Sequence, residues 1–548
     1  MRTTLATLLA SLCLSTSAAE LAQRTLLDDY VKQDDDSHAW QVAASKTLEG
    51  TRIVVLDMVS QHWLTKPQVD RTEWRHWLRL SIPPTVSTDI AFLYIQGGGN
   101  NSEAPADADP GMVAIANATG SVVAELGMVP NQPLSFDGDG VPRWEDDLIA
   151  YNWARSLTGD GQKRLVLEAM TKSAVRAMDT VTAVMARPEW GERLIERFVV
   201  SGGSKRGWTS WLTAAVDERV VAIAPIVFDV LNMEASIRHH FAAYGHFSQA
   251  VADFALHGIL PRVGQRAVNE LMWIADPYRY RHRVTVPKLI LNASGDEFFL
   301  PDSSRFYWDE LRGENYLRYV PNAPHSMSGT DALDTVAAFH WLVVNDQRPP
   351  RYSWAQRDDG TLQVMPLDQP QGVLLWQATN PEARDFRLAT LGRAFSSTPV
   401  EADTRGMYTA RVPAPERGWS AWFLELTYDV GAPKPLKLTT EVVVTPDVLP
   451  FEGKPLDLPT SITIACSGAD PASARDIGVA VVNAPKEDLD TETITTEVLD
   501  DRLYVNWTPS TDSRASAVAV AKFLETEGCT DGLYQLESGE GMTLPPVR

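Results

Sequence analysis

Positive charge is scarce in this chain. Its 548 residues contain 49 lysines and arginines against 71 aspartates and glutamates, a formal net charge of -22. A surface of this sign repels phosphate backbones and anionic lipid headgroups. The charge balance therefore argues against nucleic acid as a partner.

Long hydrophobic runs are missing after the N-terminus, so the sequence predicts no membrane span. The first residues combine a basic start, an apolar run and small residues: Arg2, Leu5 to Leu14, and Ser17 to Ala19. This order is typical of a signal peptide, and we expect residues 1–19 to be removed and the protein to be secreted or periplasmic. Leu12 precedes Cys13, where a lipoprotein signal has a small residue, so no lipid anchor is expected.

Cysteine is rare, with three residues in the whole chain. Removal of the signal segment takes Cys13 away and leaves Cys466 and Cys529. An even pair in an oxidising compartment predicts a disulfide between them. Two buried free thiols are the alternative.

Internal repeats and low-complexity tracts are also absent. Hydrophobic residues make up 44% of the chain and charged residues 22%, as in an ordinary globular protein. A chain of this length is too long for one core, so we expect one large domain and one or two smaller ones.

The pattern of apolar runs predicts the class of the large domain. Residues 50–83 contain two strand-like runs that predict an antiparallel pair. Short, nearly continuous apolar runs follow at 89–101, 121–130, 197–204, 220–230 and 286–296. Helical patterns such as those of 163–187 and 208–219 separate them. This alternation predicts an α/β domain with a parallel sheet covered on both faces, whose active site lies at the carboxyl ends of the strands.

The remaining segments predict further units. Residues 231–283 are rich in aromatic residues and histidines and are too long for a simple crossover, so we expect a helical lid or insertion in a domain that spans 20–348. Short strand-like runs separated by turn residues predict a β-sandwich-like domain over 349–448. Residues 449–548 mix strand and helix patterns and are interpreted as a small α+β module.

One serine stands where a nucleophile is expected. In the segment FVVSGGSKRGW an apolar strand runs into glycines, exposes Ser204 and continues as a helix. Such an elbow lifts a serine hydroxyl above the sheet and needs small neighbours, which Gly202, Gly203 and Gly207 provide. A glycine-rich bend without chemistry is the alternative, because the usual spacing is G-x-S-x-G and Arg206 stands at its second glycine.

A serine nucleophile needs a base and an acid, and in this kind of fold they follow it in the order acid, then histidine. Asp296 ends one apolar strand, and His325 follows the next. We therefore predict Ser204, Asp296 and His325 as a catalytic triad. Asp296 as a helix cap and His325 as an ordinary loop histidine are the alternatives, and Asp229, at another strand end, is the alternative acid.

The triple glycine of YIQGGGNN supplies the loop that an oxyanion hole requires. We predict the backbone amides of Gly98, Gly99 and Lys205 as its donors. A phosphate-binding turn is not supported, because both the P-loop and the dinucleotide fingerprint are missing. A bare flexible turn stays open as an alternative.

The sequence indicates no cofactor and no metal site. His239, His240 and His246 lie close together, but no cysteine or carboxylate completes a familiar ligand spacing. We interpret these histidines as pocket or surface residues.

The chain carries the stretches LYIQGGGNN, VVAELGMVPNQPL, GGSKRGWTSWLTAAVDERVVAIAPIVFDVLNM and VPKLILNASGDEFFLPD. Together they resemble the PhoPQ-activated pathogenicity-related proteins, secreted bacterial proteins with an α/β-hydrolase domain. The resemblance implies that fold for residues 30 to 355, roughly, and by position the same three triad residues. The Ser-x-x-Gly spacing is also similar to that of glucuronoyl esterases, in which a cationic side chain after the serine assists the oxyanion, and this implies such a role for Lys205.

The sequence thus predicts an α/β-hydrolase fold with a helical insertion, followed by a small β-sandwich and a C-terminal α+β module. The predicted function is that of an exported serine hydrolase acting on small-molecule or polymeric esters. A peptidase, or a hydrolase-shaped protein that binds an envelope or host component without catalysis, is the alternative. The sequence does not indicate an oligomeric state.

Overall fold

The computed structural model describes most of the chain up to residue 456 and shorter segments beyond it. The described ranges are 24–158, 164–454, 456, 462–467, 480–481, 491–499, 502–509, 520, 523–524, 531–536 and 540–543. The predicted signal peptide lies outside them. Cys466 belongs to a described strand, but Cys529, and with it the predicted disulfide, lies outside the described residues.

A nine-stranded sheet forms the centre of the large domain. Its strands are β1 (Ala39–Leu48), β2 (Thr51–His62), β3 (Glu73–Ile82), β4 (Ile90–Ile95), β5 (Val123–Leu126), β6 (Arg197–Gly203), β7 (Val220–Ile226), β8 (Lys288–Ala293) and β9 (Asn315–Val320). They are ordered β1-β2-β3-β5-β4-β6-β7-β8-β9. The pairs from β1 to β5 are antiparallel, as predicted for residues 50–83, and every pair from β5 through β9 is parallel.

Ten α-helices are described. They are α1 (Leu26–Lys32), α2 (Pro110–Thr119), α3 (Glu145–Thr158), α4 (Val166–Met185), α5 (Lys205–Val216), α6 (Met233–Tyr244), α7 (Ala252–Leu256), α8 (Arg266–Ala275), α9 (Ala332–Val344) and α10 (Leu388–Leu391). Helices α6 to α8 fall in the range where the sequence predicts an insertion. Among the described helices, none is both long and apolar enough to cross a membrane.

Both faces of the parallel strands are buried, which explains their continuous apolar sequences. Successive residues of a strand point to opposite faces. Leu93 and Val200 belong to one hydrophobic core, while their neighbours Phe92 and Val199 belong to the other. The chain is therefore a mixed α/β protein built on a large, mostly parallel sheet, as predicted.

Antiparallel sheets follow the large domain. One contains β10 (Tyr352–Gln356), β11 (Leu362–Pro366) and β14 (Tyr408–Ala410). A second contains β12 (Gly372–Asn380), β13 (Ser396–Pro399), β15 (Trp419–Tyr428), β16 (Leu436–Thr439) and β17 (Val443–Thr445). A third contains β18 (Ile462–Ser467), β19 (Thr491–Leu499), β20 (Arg502–Pro509), β21 (Asp531–Leu536) and β22 (Glu540–Thr543).

The cores of the large sheet continue into the first two antiparallel sheets. Phe423 lies in the same apolar cluster as Val200, and Trp422 lies in the same cluster as Val199. Both aromatic side chains are fully buried. The strands β10 to β17 therefore share their hydrophobic interior with the large domain.

Candidate active site

Ser204 occupies a strained turn between β6 and α5. Its φ of 57° and ψ of -126° are unusual for a residue with a side chain. The turn is held on both sides, because Ser204 N donates to Ile226 O at 2.8 Å and Trp208 N donates to Ser204 O at 2.9 Å. Strain of this kind at a strand-to-helix turn is what a nucleophile elbow requires.

Two of the elbow glycines are needed for close packing. A Cβ atom at Gly207 would lie 2.9 Å from Ile226 O and 3.0 Å from Gly202 O. A Cβ atom at Gly202 would lie 2.8 Å from the backbone and side chain of Arg206. At Gly203, by contrast, a Cβ atom would meet nothing within 4 Å. The missing glycine of the usual motif is thus replaced by Gly207, one residue later, which lets α5 approach β6 and β7.

Asp296 and His325 form a hydrogen-bonded pair. Asp296 follows β8 and His325 follows β9, at the same edge of the sheet as Ser204. His325 Nδ1 lies 2.9 Å from each carboxylate oxygen of Asp296. Asp296 is 3% exposed, and its Oδ1 also accepts a hydrogen bond from Phe298 N at 2.8 Å. The carboxylate therefore fixes the orientation of the imidazole and leaves Nε2 to face other groups.

The other ring nitrogen of His325 is without a hydrogen bond in the described part of the chain. Its Nε2 is buried and makes no hydrogen bond with the described residues, so no hydrogen bond joins it to Ser204. The ring packs on Phe298, with the ring centroids 4.1 Å apart, and the amide of His325 donates to Glu297 Oε2 at 2.8 Å. Catalytic hydrogen bonds are often absent or long without a bound substrate.

Asp229, the alternative acid, has other partners. Tyr307 and Tyr319 donate hydrogen bonds to its two oxygens at 2.5 and 2.6 Å. Burial raises the pKa of Asp229 to about 8, against the opposing effect of the two tyrosine hydrogen bonds. The structure thus brings Asp296, and not Asp229, against His325.

The triple-glycine loop follows β4. Gly98 has a φ of 127°, which only glycine adopts readily, and a Cβ atom there would lie 3.4 Å from Met128 N. Gly99 N donates to Ser102 Oγ at 3.2 Å, so this amide already has a partner. Lys205 is the first residue of α5, where the amide has no acceptor within the helix.

The side chain of Lys205 is engaged in ion pairs. Its Nζ lies 2.9 Å from Glu145 Oε2 and 3.1 Å from Asp146 Oδ2, and the side chain is 8% exposed. Arg206 also pairs with Glu145, at 2.7 Å. Burial raises the pKa of Glu145, but the charges of Lys205 and Arg206 outweigh that effect and hold its pKa well below the usual range. Glu145 was not predicted as a site residue, although it begins the acidic run of residues 145–147.

An apolar pocket lies beside the Asp296–His325 pair, between the 231–283 region and the loop after β8. Its lining residues are Asp229, Val230, Ser236, Ile237, His240, Phe247, Val251, Leu260, Phe298, Phe299, Leu300 and Ser303. Phe298 is shared between this pocket and the face of His325. The pocket therefore offers mainly hydrocarbon surface next to the imidazole.

The histidines of α6 have structural partners. His239 Nε2 lies 3.1 Å from Asp302 Oδ2, and His240 Nε2 accepts a hydrogen bond from Ser248 N at 2.9 Å. His240 also lines the apolar pocket. Within the described part of the chain, no group of three or more histidine, cysteine or acidic side chains is placed to hold a metal ion.

Comparisons with known sequences find matches that cover more than half of the chain. The model of the PhoPQ-activated pathogenicity-related protein family matches residues 27–387. The autocrine proliferation repressor protein A of Dictyostelium discoideum is 35% identical over 460 residues, which are 78% of this chain and 92% of that protein.

Solved structures show weaker likenesses. Acetyl xylan esterase 1 from Thermoanaerobacterium sp. JW/SL YS485 is 16% identical, with a TM-score of 0.41 over 58% of this chain and 93% of that one. An acylaminoacyl peptidase of Pyrococcus horikoshii is 13% identical, with a TM-score of 0.33 over 57% of this chain and 50% of that one. Similarities at this level do not establish an activity, so the activity is inferred from the residues of the site.

Proposed function

Because the chain belongs to the PhoPQ-activated pathogenicity-related protein family, we propose that it is an exported serine hydrolase that cleaves carboxylic esters through an acyl-enzyme. Ser204 is the nucleophile, His325 the general base and Asp296 the residue that orients His325. The observation that carries the proposal is the hydrogen-bonded pair of buried Asp296 and half-buried His325, at the sheet edge where Ser204 occupies a strained elbow.

The first step transfers a proton and forms a bond. His325 Nε2 takes the proton of the Ser204 hydroxyl as Oγ attacks the carbonyl carbon of the ester. Asp296 stabilises the resulting imidazolium through its hydrogen bonds to Nδ1. The imidazolium then gives its proton to the leaving alcohol, and a water molecule, activated by the same histidine, releases the acid from Ser204.

Two backbone amides are assigned to the oxyanion. The amide of Lys205, at the start of α5, and the amide of Gly98 are the donors in this proposal. Gly99 is left out, because its amide binds Ser102. The Lys205 ammonium is left out as a direct ligand, because Glu145 and Asp146 hold it, although its positive charge still favours negative charge nearby.

An ester with an apolar acyl group is the substrate class that fits best. The pocket beside His325 is lined mostly by aliphatic and phenylalanine side chains, among them Ile237, Leu260 and Phe299. Such a lining binds hydrocarbon and offers little to a charged group.

Labelling with a fluorophosphonate probe tests the proposal. The purified protein should react with the probe at Ser204, and Ser204→Ala should not react. The matched control is Ser210→Ala, since Ser210 is a buried serine of α5, six residues later, whose hydroxyl donates to Arg206 O. Failure of the unsubstituted protein to react, together with failure to hydrolyse acyl esters, would favour the non-catalytic binding alternative.

Export is tested separately. The segment 1–19 has the order of regions of a signal peptide, and removal of that segment leaves Glu20 as the first residue. N-terminal sequencing of the protein recovered from the periplasm or medium should begin at Glu20. Recovery of the intact chain from the cytoplasm alone would contradict the proposal.

A further inference from the structure

The connection between β12 and β13 packs against the loops that carry Asp296 and His325. We call residues 381–395 the brace segment; it includes α10. Phe386 and Phe395 anchor it, because they are 2% and 5% exposed and belong to the core of the large domain. The segment is also tied internally, since Arg387 pairs with Asp385 at 2.5 Å. It is therefore a fixed part of the protein rather than a free surface loop.

The brace segment is bonded to the acid loop next to Asp296. Leu388 N donates a hydrogen bond to Gly295 O at 2.9 Å. A Cβ atom at Gly295 would lie 3.1 Å from Leu388 N and 3.1 Å from Leu388 Cβ, so the two backbones are in close contact. This contact lies one residue before the carboxylate that holds His325.

A second contact fixes the base loop. Asn322 Nδ2 donates to Phe395 O at 2.8 Å, and Phe395 N donates to Asn322 Oδ1 at 2.9 Å. Asn322 has a φ of 55°, and its own amide donates to Ser294 Oγ at 2.9 Å. The side chain of Asn322 thus joins the brace segment to the loop that carries His325. The backbone amide of Asn322 joins that loop to Ser294, directly after β8.

A buried ion pair provides the third contact. Arg384 Nη2 lies 2.6 Å from Asp302 Oδ2, and the two side chains are 0% and 2% exposed. Asp302 also binds His239 of α6. Burial raises the pKa of Asp302, but Arg384 and His239 outweigh that effect and lower it, so the carboxylate stays charged. The acid loop is therefore held at Gly295 and again at Asp302.

We propose that the brace segment positions the catalytic pair, and that Asn322 and Leu388 are its positioning residues. This inference rests on the proposed function. The Asp296–His325 pair is carried by two loops that are joined to each other and to the brace segment just after β8 and β9 end. Proton transfer requires placement of the imidazole within a fraction of an ångström. The second antiparallel sheet thus supports the active site through its connection between β12 and β13.

Two variants test the Asn322–Phe395 contact and the Leu388–Gly295 contact one at a time. Asn322→Gly removes both side-chain hydrogen bonds to Phe395 and keeps a residue that tolerates positive φ. Leu388→Pro removes the amide that binds Gly295 and places a ring against that carbonyl. Proline is well accommodated at the first position of a helix, and Arg387 before it is extended, with a ψ of 141°, as a residue before proline should be. Asp346→Gly is the control, because Asp346 is exposed and has a φ of 53° in the turn after α9.

Each variant is titrated with the fluorophosphonate, and ester hydrolysis is expressed per reactive site over a range of pH. We expect kcat to fall by about tenfold to hundredfold in Asn322→Gly and Leu388→Pro, with KM within about twofold of the original. The acid limb of the kcat/KM profile should move to lower pH, because a displaced Asp296 stabilises the imidazolium less. A role in stability alone would lower Tm and leave both of these readouts unchanged.

The outcomes separate the two proposals. An unsubstituted protein without turnover would overturn the proposed function and this inference with it. An active protein whose two variants match Asp346→Gly in kcat per site would overturn the brace alone. Variants that change KM and leave kcat unchanged would also overturn the brace proposal. An acid limb of the kcat/KM profile that stays at the original pH would overturn it too.

Discussion

Two buried aspartates lie at the carboxyl edge of the sheet, and their different partners predict different effects on catalysis. Asp296 binds His325 Nδ1, whereas Asp229 binds the hydroxyls of Tyr307 and Tyr319. Asp296→Asn should lower kcat for an acyl ester by about 10⁴-fold, because the amide no longer stabilises the imidazolium or selects its tautomer. Asp229→Asn should lower kcat by less than about tenfold. Steady-state kinetics of both variants is the measurement, and equal losses would contradict the assignment of the acid.

The buried side chain of Glu168 should make the free energy of unfolding depend on pH. It is fully buried in α4, accepts a hydrogen bond from Leu165 N at 2.6 Å, and burial raises its pKa to about 8. Between its ordinary pKa near 4.5 and this value the folded state keeps a proton that the unfolded state has lost. The free energy of unfolding should therefore fall as pH rises through that window, by up to about 1.4 kcal/mol per pH unit from this group.

The variant Glu168→Gln should remove this contribution. Urea unfolding of the original protein and the variant at about pH 5 and about pH 8 gives the comparison, and the variant should gain relative stability as the pH rises. Glu189→Gln, at an exposed position, is the control and should follow the original protein. Parallel pH profiles for Glu168→Gln and the original protein would contradict the prediction.

At the residue scale, the ends of the apolar strands indicate where the catalytic residues lie. Contacts between residues that are far apart in the chain leave no such signal in the sequence. Asp296 and His325 were predicted as partners because each follows an apolar strand, and the structure places them 2.9 Å apart. Glu145 and Asn322 were not predicted. Glu145 lies 60 residues before its partner Lys205 in the sequence. The side chain of Asn322 binds backbone atoms of Phe395, which any residue type provides, so no sequence pattern in either segment indicates the contact.

At the scale of elements, the junction of β6 and α5 predicts which glycines can change. Gly207→Ala would bring a methyl group within 3.0 Å of two carbonyl oxygens, which should push α5 away from β7 and lower both Tm and kcat. Gly203→Ala meets open space and should leave Tm nearly unchanged. Thermal unfolding and ester hydrolysis of the two variants, measured side by side, check this, and a larger loss of Tm at Gly203 would contradict it.

The parallel strands were predictable because each is buried on both faces and reads as a continuous apolar run. Strand β1 was not predicted, since it lies at the sheet edge with almost all of its side chains exposed and carries no alternation. The brace segment was also missed. Its helix has four residues, too few for a periodic pattern, and its position depends on contacts with loops that are distant in the sequence.

At the scale of the molecule, the shared cores predict that the large sheet and the strands β10 to β17 unfold together. Trp422 is fully buried in the cluster that contains Val199 of β6. Trp422→Ala should destabilise the protein by about 3 to 5 kcal/mol. Hydrogen exchange in urea should show β6 and β15 losing protection at the same lowered midpoint. Trp273→Ala, at a side chain 60% exposed, is the control, and loss of protection in β15 alone would contradict the prediction.

The late position of the brace segment has a consequence for the order of biosynthesis. A chain made from its N-terminus contains Ser204 almost two hundred residues before it contains Phe395, and longer still before Trp422. Until those residues emerge, the two cores of the sheet lack Phe395 and Trp422, and the loops that carry Asp296 and His325 lack their contacts with the brace segment. Under the proposed function, a chain that ends before Phe395 would therefore lack the contacts that place His325 and would not yet hydrolyse esters.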